Sequence, residues 1–233
     1  MTTRLTTVPE PAPRSAKAEQ TRQAIVEAAL RLFRSGGYDK TTMRAIAGEA
    51  GVSLGNAYYY FASKEHLVQA FYDQVMSEHT VAVAPILQRE RSFVARLEGL
   101  LQAWVTVAAP YHEFAGKFFR NAAEPSSPLS PFSEESKPTR DAAVGLLQQV
   151  LDGADLKVAP ALRRELPELL WLMQMGLVLF WVHDGSPEQR RTRDLIARAV
   201  PMVDRLIRMT RLPVVRGLVD DLVDLLGSLR APV

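Results

Sequence analysis

Residues 41–64 read Thr41-Thr42-Met43-Arg44-Ala45-Ile46-Ala47-Gly48-Glu49-Ala50-Gly51-Val52-Ser53-Leu54-Gly55-Asn56-Ala57-Tyr58-Tyr59-Tyr60-Phe61-Ala62-Ser63-Lys64. A short helix, a glycine turn, a second short helix and the start of a third follow from this order. Thr41 or Thr42 can cap the first helix, its hydroxyl taking a free N–H of the first turn. Ile46, Ala47 and Ala50 form that helix's apolar face. Gly51 permits the sharp turn, and Val52 can plug the angle between the helices. Ser53 caps the next helix, over about 54–60, and Ser63 caps the one after, from Lys64 to about Ala82. This is the layout of a helix-turn-helix, whose second helix enters the DNA major groove.

Upstream, Ile25, Ala28, Ala29, Leu32 and Phe33 recur at helical spacing and predict a helix from about Lys17 to Ser35. Gly36-Gly37 stops it, and Tyr38 is expected to pack back on the core. Residues 1–16 are rich in Thr, Pro and Ala, without periodicity, and read as a disordered arm. They contain no apolar run of the secretory-signal kind.

Downstream, the pattern stays helical. Helices are expected over Phe93–Ala109, Glu113–Ala123 and Arg140–Leu151, with a Pro/Ser-rich loop at 124–138. A loop that long is uncommon in a compact domain and is often functional or mobile. Leu166–Val182 is the most apolar segment. Its uninterrupted part is too short for a bilayer, which predicts a buried helix. Ser186-Pro187 resembles cap and first-turn chemistry for a helix over Glu188–Met209, which Pro201 should kink. Val214–Leu229 is expected to form a last amphipathic helix. No strand and no internal repeat is found, so the fold class is all-α.

The composition narrows the chemistry. The chain has 233 residues, 47% hydrophobic and 23% charged, as a globular protein does. It has no cysteine, which rules out disulfides, thiolate metal sites and a cysteine nucleophile, and suits a reducing cytoplasm. Residues 1–64 hold 9 Lys/Arg against 5 Asp/Glu, whereas residues 65–233 hold 19 against 21. A basic leading third is a weak pointer to nucleic acid. No Gly-rich phosphate loop and no nucleophile elbow occurs. His66, His79, His112 and His183 are scattered, so no metal or other cofactor is expected. His183-Asp184 reads as a charge partner of a helix end. Enzymatic activity is not expected.

The groove-entering helix should show its first turn, Leu54-Gly55-Asn56, to the bases. Asn56 can pair with adenine or reach a phosphate, and Leu54 can make only apolar contact. Gly55 costs about 1 kcal/mol of helix stability relative to alanine; close approach to DNA, or simple tolerance, would account for it. Tyr58 can reach phosphate, and Tyr60 and Phe61 are assigned partly to the core. Lys64 reads as a phosphate clamp and Arg44 as a second cation near the backbone.

The pattern Thr42-x-Arg44-x-Ile46-Ala47-x-x-Ala50-Gly51-Val52-Ser53-x-Gly55-x-x-Tyr58-x-Tyr60-Phe61-x-Ser63-Lys64-Glu65-x-Leu67 resembles the signature of the TetR family of bacterial transcription regulators. The resemblance covers about residues 18–70. It implies an all-α homodimer that binds a palindromic operator on double-stranded DNA, usually as a repressor released by a small molecule. It implies DNA contacts at Thr42, Arg44, Ser53, Leu54, Gly55, Asn56, Tyr58, Tyr59, Tyr60 and Lys64. Leu54 departs from the polar residue often found in the family. The implied organisation is an arm at 1–16, a helix-turn-helix DNA-binding domain at 17–63, and a helical effector-binding and dimerisation domain at 64–233.

Within that body, Trp104, Phe114, Phe118, Phe119, Trp171, Met175 and Phe180 could line a pocket for an apolar effector or simply fill the core. The resemblance assigns the dimer contact to about Leu166–Val182 and Glu188–Met209. There Gly176 could allow close approach, although burial inside one protomer would equally explain so apolar a helix. The alternative to a ligand-released repressor is an activator or effector-independent regulator whose body makes protein contacts.

Overall fold

A computed structural model describes residues 16–124, 127–211 and 221, the side chains of residues 117, 118, 120 and 121 excepted. The expected arm at 1–16, bar Ala16, and the helix expected over Val214–Leu229, bar Asp221, lie outside the described residues. The helices are α1 (Ala16–Gly36), α2 (Met43–Glu49), α3 (Leu54–Tyr60), α4 (Lys64–Arg89), α5 (Phe93–Ala108), α6 (His112–Ala123), α7 (Lys137–Asp152), α8 (Pro160–Val182) and α9 (Arg190–Met209). Short 3-10 turns occupy Ala109–Tyr111 and Pro187–Gln189, and no strand occurs among the described residues. The chain forms two compact units, Met1–Leu67 and Val68–Val233.

In the first unit, Ile25, Ala28, Ala29 and Phe33 of α1, Ile46 and Ala47 of α2, Ala57 of α3, and Phe61 and Leu67 form the core. Thr42 caps α2, its hydroxyl accepting from Ala45 N at 3.2 Å. Thr41 has a different job: buried, it donates to the Gly37 carbonyl at 2.8 Å and closes the turn after α1. Gly37 and Gly51 have φ of +83° and +68°, the left-handed conformation that only glycine enters without cost. Tyr38 packs on Phe33, ring centroids 5.1 Å apart. Its hydroxyl donates to Glu65 Oε1 at 2.7 Å. Burial pushes the Glu65 carboxyl up, but hydrogen bonds from Ser63, Tyr38 and the backbone, with the Lys64 charge, outweigh it and lower its pKa. The Ser63 hydroxyl, expected to serve the backbone, lies 3.0 Å from His66 Nδ1.

The second unit is built on α5, which packs against α7 and α9, with α8 against α6 and α7. Phe93, Leu97, Leu101 and Val105 meet Leu147, Leu151, Ile196 and Val200 in its core. α4 runs seven residues past the expected end at Ala82, through the exposed Pro85. Val83 and Leu87 hold that extension to the core, and Arg96 finishes it. The buried Arg96 guanidinium donates to the carbonyls of Leu87 (2.6 Å), Glu90 (2.8 Å), Gln149 (2.6 Å) and Val150 (2.9 Å). One cation thereby closes the C-terminal ends of both α4 and α7, where unpaired carbonyls gather. A Cβ at Gly153 would overlap that guanidinium.

Two expectations are corrected here. α8 has 23 residues and is, by length and composition, apolar enough to cross a bilayer. Its shortness therefore does not make it a core helix. Packing does: Leu166, Leu170, Trp171, Leu177 and Trp181 are buried in this unit, together with the polar Glu165 and Gln174. Of the pair His183-Asp184, His183 does serve the end of α8, its Nδ1 lying 2.9 Å from the Leu179 carbonyl, but Asp184 does not. Its Oδ1 accepts from Ser186 N and Oγ (2.9 and 2.6 Å), and its Oδ2 accepts from Thr192 N and Oγ1 (2.8 and 2.7 Å). It tethers the loop to the first turn of α9. Ser186 serves α9 as well, its hydroxyl accepting from Arg191 N at 3.0 Å. α9 continues through Pro201 without a break in helical structure.

Candidate nucleic-acid interface and cavity

α3 starts where the Ser53 hydroxyl accepts from Asn56 N at 3.1 Å. Ala57, fully buried, pins its centre to the core. At about 100° per residue, Gly55 and Tyr59 fall opposite Ala57, with Asn56 and Tyr58 flanking them. Accessibility agrees: Ser53, Gly55 and Asn56 are exposed, Tyr58 is 50% and Tyr59 82% exposed, and Leu54 and Tyr60 are half-buried. Tyr59 stacks edge-on to Tyr60 at 5.2 Å. The sequence picked out Tyr58; the structure puts Tyr59 nearer the centre of the outward face. No side chain fills the space over Gly55, because a Cβ there would meet nothing within 4 Å.

Thr42 and Arg44 are exposed at the start of α2. Lys64 is not a free clamp. Its ammonium donates to the Tyr38 carbonyl at 2.8 Å and sits 4.4 Å from the centre of the Tyr38 ring. This holds the first turn of α4 to the turn that follows α1.

The second unit contains a cavity of about 560 Å³. Of the seven expected residues, Trp104, Phe114, Phe119, Trp171 and Met175 line it. The Phe118 side chain lies outside the described residues. Phe180 does not line the cavity and is 42% exposed. The helical period separates them: Trp171, Met175, Val178 and Val182 share the cavity side of α8, whereas Phe180 falls on the opposite, outer side, and Leu179, between the two, is 48% exposed and still lines the cavity.

The sequence missed the contributions of α4 (Tyr72, Val75, Met76 and His79), of the Pro/Ser loop (Ser130, Pro131 and Phe132), and of Gln174 and Trp181. Trp181 carried the same signal as the other large aromatics. The loop's length marked it as often functional, but nothing in its sequence put it on the cavity wall, because tertiary ties fold it inward. Gln69 Nε2 donates to the Pro128 carbonyl at 2.7 Å, and Arg140 Nη1 donates to those of Pro131 (2.7 Å) and Ser133 (3.0 Å).

Comparison with known proteins decides the family. The domain described as "Bacterial regulatory proteins, tetR family" matches residues 25–71, and "Tetracyclin repressor-like, C-terminal domain" matches residues 96–225, more than half the chain. The chain belongs to the TetR family of bacterial transcription regulators. This TetR-family protein is 36% identical over 89 residues to the HTH-type transcriptional regulator SrpR of Pseudomonas putida, covering 38% of this chain and 42% of that one. It spans less than half the length of that relative. A TetR regulator from Nitrosomonas europaea shares the fold with a TM-score of 0.61 at 21% identity, over 78% of this chain and 97% of that one. FadR of Bacillus subtilis, solved with stearoyl-CoA, matches with a TM-score of 0.61 at 16% identity, over 76% and 96%.

Proposed function

We propose that this TetR-family protein is a homodimeric repressor that reads a palindromic operator through α3 and leaves it when a small apolar molecule fills the cavity. The observation that carries this reading is the bare outward face of α3. Gly55, Asn56, Tyr58 and Tyr59 stand clear of the core on a helix anchored by one buried alanine. Ser53 and Leu54 begin that helix, Tyr60 closes it, and Thr42 and Arg44 flank it as backbone contacts. Lys64 acts by holding α4 in place as much as by its charge. Work on operator DNA belongs in the cytoplasm, and no catalytic role is proposed.

The second copy is expected on α8 and α9. Leu172, Leu179 and Phe180 on α8, and Met202, Leu206 and Met209 on α9, are large apolar side chains left 42–62% exposed. Surface of this kind marks an interaction site. Gly176 of α8 is also exposed, with open space over it, and borders the cavity as well.

The cavity favours ligand control over the effector-independent alternative, for which a filled interior would be expected. The FadR neighbour, solved with stearoyl-CoA, offers a precedent for a ligand on this fold. A dimer reads half-sites about 34–36 Å apart. An effector lowers affinity by preferring the protomer arrangement with a different spacing. α4 is the proposed lever, since it begins in the first unit and supplies Phe71, Tyr72, Val75, Met76 and His79 to the cavity wall.

Selection of bound genomic fragments with the full chain tests this reading. The expected outcome is a dyad-symmetric site occupied by two protomers. Sites without dyad symmetry, or one protomer per site, would sink it.

A further inference from the structure

The polar chemistry of the cavity wall is sparse and one-sided. No described lining residue is acidic, and Arg140 is the one basic side chain among them besides His79. His79 is buried, and its Nε2 lies 2.9 Å from the Leu100 carbonyl, so that nitrogen carries the proton and donates it. Burial pushes the imidazole pKa down against the pull of that carbonyl, which keeps the ring neutral at pH 7. Arg140 Nη1 already serves two loop carbonyls.

Trp181 supplies the other half of the observation. It lines the cavity, is 3% exposed, and packs edge-on to Trp104 (5.1 Å) and His112 (4.8 Å). Its indole nitrogen is buried and has no acceptor among the described residues. Buried donors are almost always paired, and one left without a partner carries a penalty that an incoming acceptor removes.

We propose that the cavity takes an uncharged, mainly apolar ring compound bearing a carbonyl or comparable neutral oxygen, and that Trp181 Nε1–H donates to that oxygen. This rests on the cavity being the effector site. A cation would be stripped of water with no carboxylate to receive it and a guanidinium in the same wall. An acyl-CoA would bring several phosphates to a wall offering one guanidinium, whose Nη1 is already engaged.

Equilibrium dialysis of the full-length protein against four naphthalenes sharing one ring body tests the proposal. The probes are 2-acetylnaphthalene, 2-ethylnaphthalene, 2-naphthoate and 2-naphthylmethylammonium. The ketone should bind at least about tenfold more tightly than the ammonium. Trp181→Phe should weaken the ketone about tenfold and leave 2-ethylnaphthalene within about twofold; retained hydrocarbon binding also shows that the variant is folded. In wild-type protein, which needs no substitution, the Trp181 indole proton resonance should move downfield with the ketone and not with the hydrocarbon. Ala115→Trp, which sets an indole into the cavity, should weaken binding of every probe.

Equal binding of ammonium and ketone, or equal sensitivity of ketone and hydrocarbon to Trp181→Phe, overturns the proposal and leaves the cavity a ligand site. Tightest binding of the naphthoate overturns it in favour of recognition by Arg140. If no probe binds, or if Ala115→Trp leaves the binding of every probe unchanged, the effector-site reading falls with it.

Discussion

Single residues carry several separable jobs, and each can be isolated. Gly55 is helical, and a Cβ there would meet nothing in the protein, so its cost of about 1 kcal/mol has no return inside the fold. Gly55→Ala should raise thermal stability by about that amount and lower operator affinity by about tenfold or more. A variant that is more stable and binds DNA unchanged would remove the close-approach role. Asn56, exposed on the first turn of α3, is the residue proposed for direct base reading. Asn56→Ala should relax preference at one position per half-site, losing about 1–3 kcal/mol of discrimination there; an unaltered selected-site motif would count against it. Asp184 is a structural counterpart. Burial alone would push its carboxyl up, but hydrogen bonds from the Ser186 and Thr192 hydroxyls and N–H groups outweigh it and hold it well below the usual carboxylate range. A depressed pKa gives stability that is fully present above the unfolded value near 3.9 and is lost as pH falls below it. Asp184→Asn should cost about 2 kcal/mol at pH 7. The gap to wild type should narrow between about pH 4 and pH 2, as chemical denaturation across that range would show.

At the scale of elements, helix ends decide how the second unit holds together. α4 and α7 both finish on Arg96, which donates to two carbonyls from the end of each. Arg96→Met keeps the apolar stem and strands buried carbonyls. It should destabilise the unit by about 3 kcal/mol or more, and urea titration would read this as a lower midpoint with little change in slope. Gly153→Ala should act in the same direction by displacing the guanidinium. The Pro/Ser loop makes the same point for function. It was legible as a loop, but its place on the cavity wall depends on Arg140 and on Gln69, which lies 59 positions from the carbonyl it holds.

At the scale of the whole molecule, the proposed dimer rests on the exposed apolar sides of α8 and α9. Leu206 is 62% exposed, so Leu206→Glu should fold normally and sediment as a monomer. Operator affinity should fall with it, because one protomer engages only one half-site. A dimer that survives Leu206→Glu would move the interface away from α9.

The helix-turn-helix was legible from sequence because its determinants are local. Caps at Thr42 and Ser53, the left-handed Gly51 and the buried Ala57 all lie within 24 consecutive residues. The all-α class was legible for the same reason, since helical spacing repeats within a few turns. Three matters depended on contacts between distant residues. Lys64 turned inward to Tyr38, 26 positions earlier. Phe180 faced outward and Trp181 inward, because packing fixes which side of an apolar helix meets the core. And the cavity arose only where α4, α5, α6, α7, α8 and the Pro/Ser loop surround one space. Sequence alone determined that this protein carries a DNA-reading helix pair on a helical body. Tertiary structure decided which side chains remain free to bind, because burial and hydrogen bonding are settled between elements and not within them.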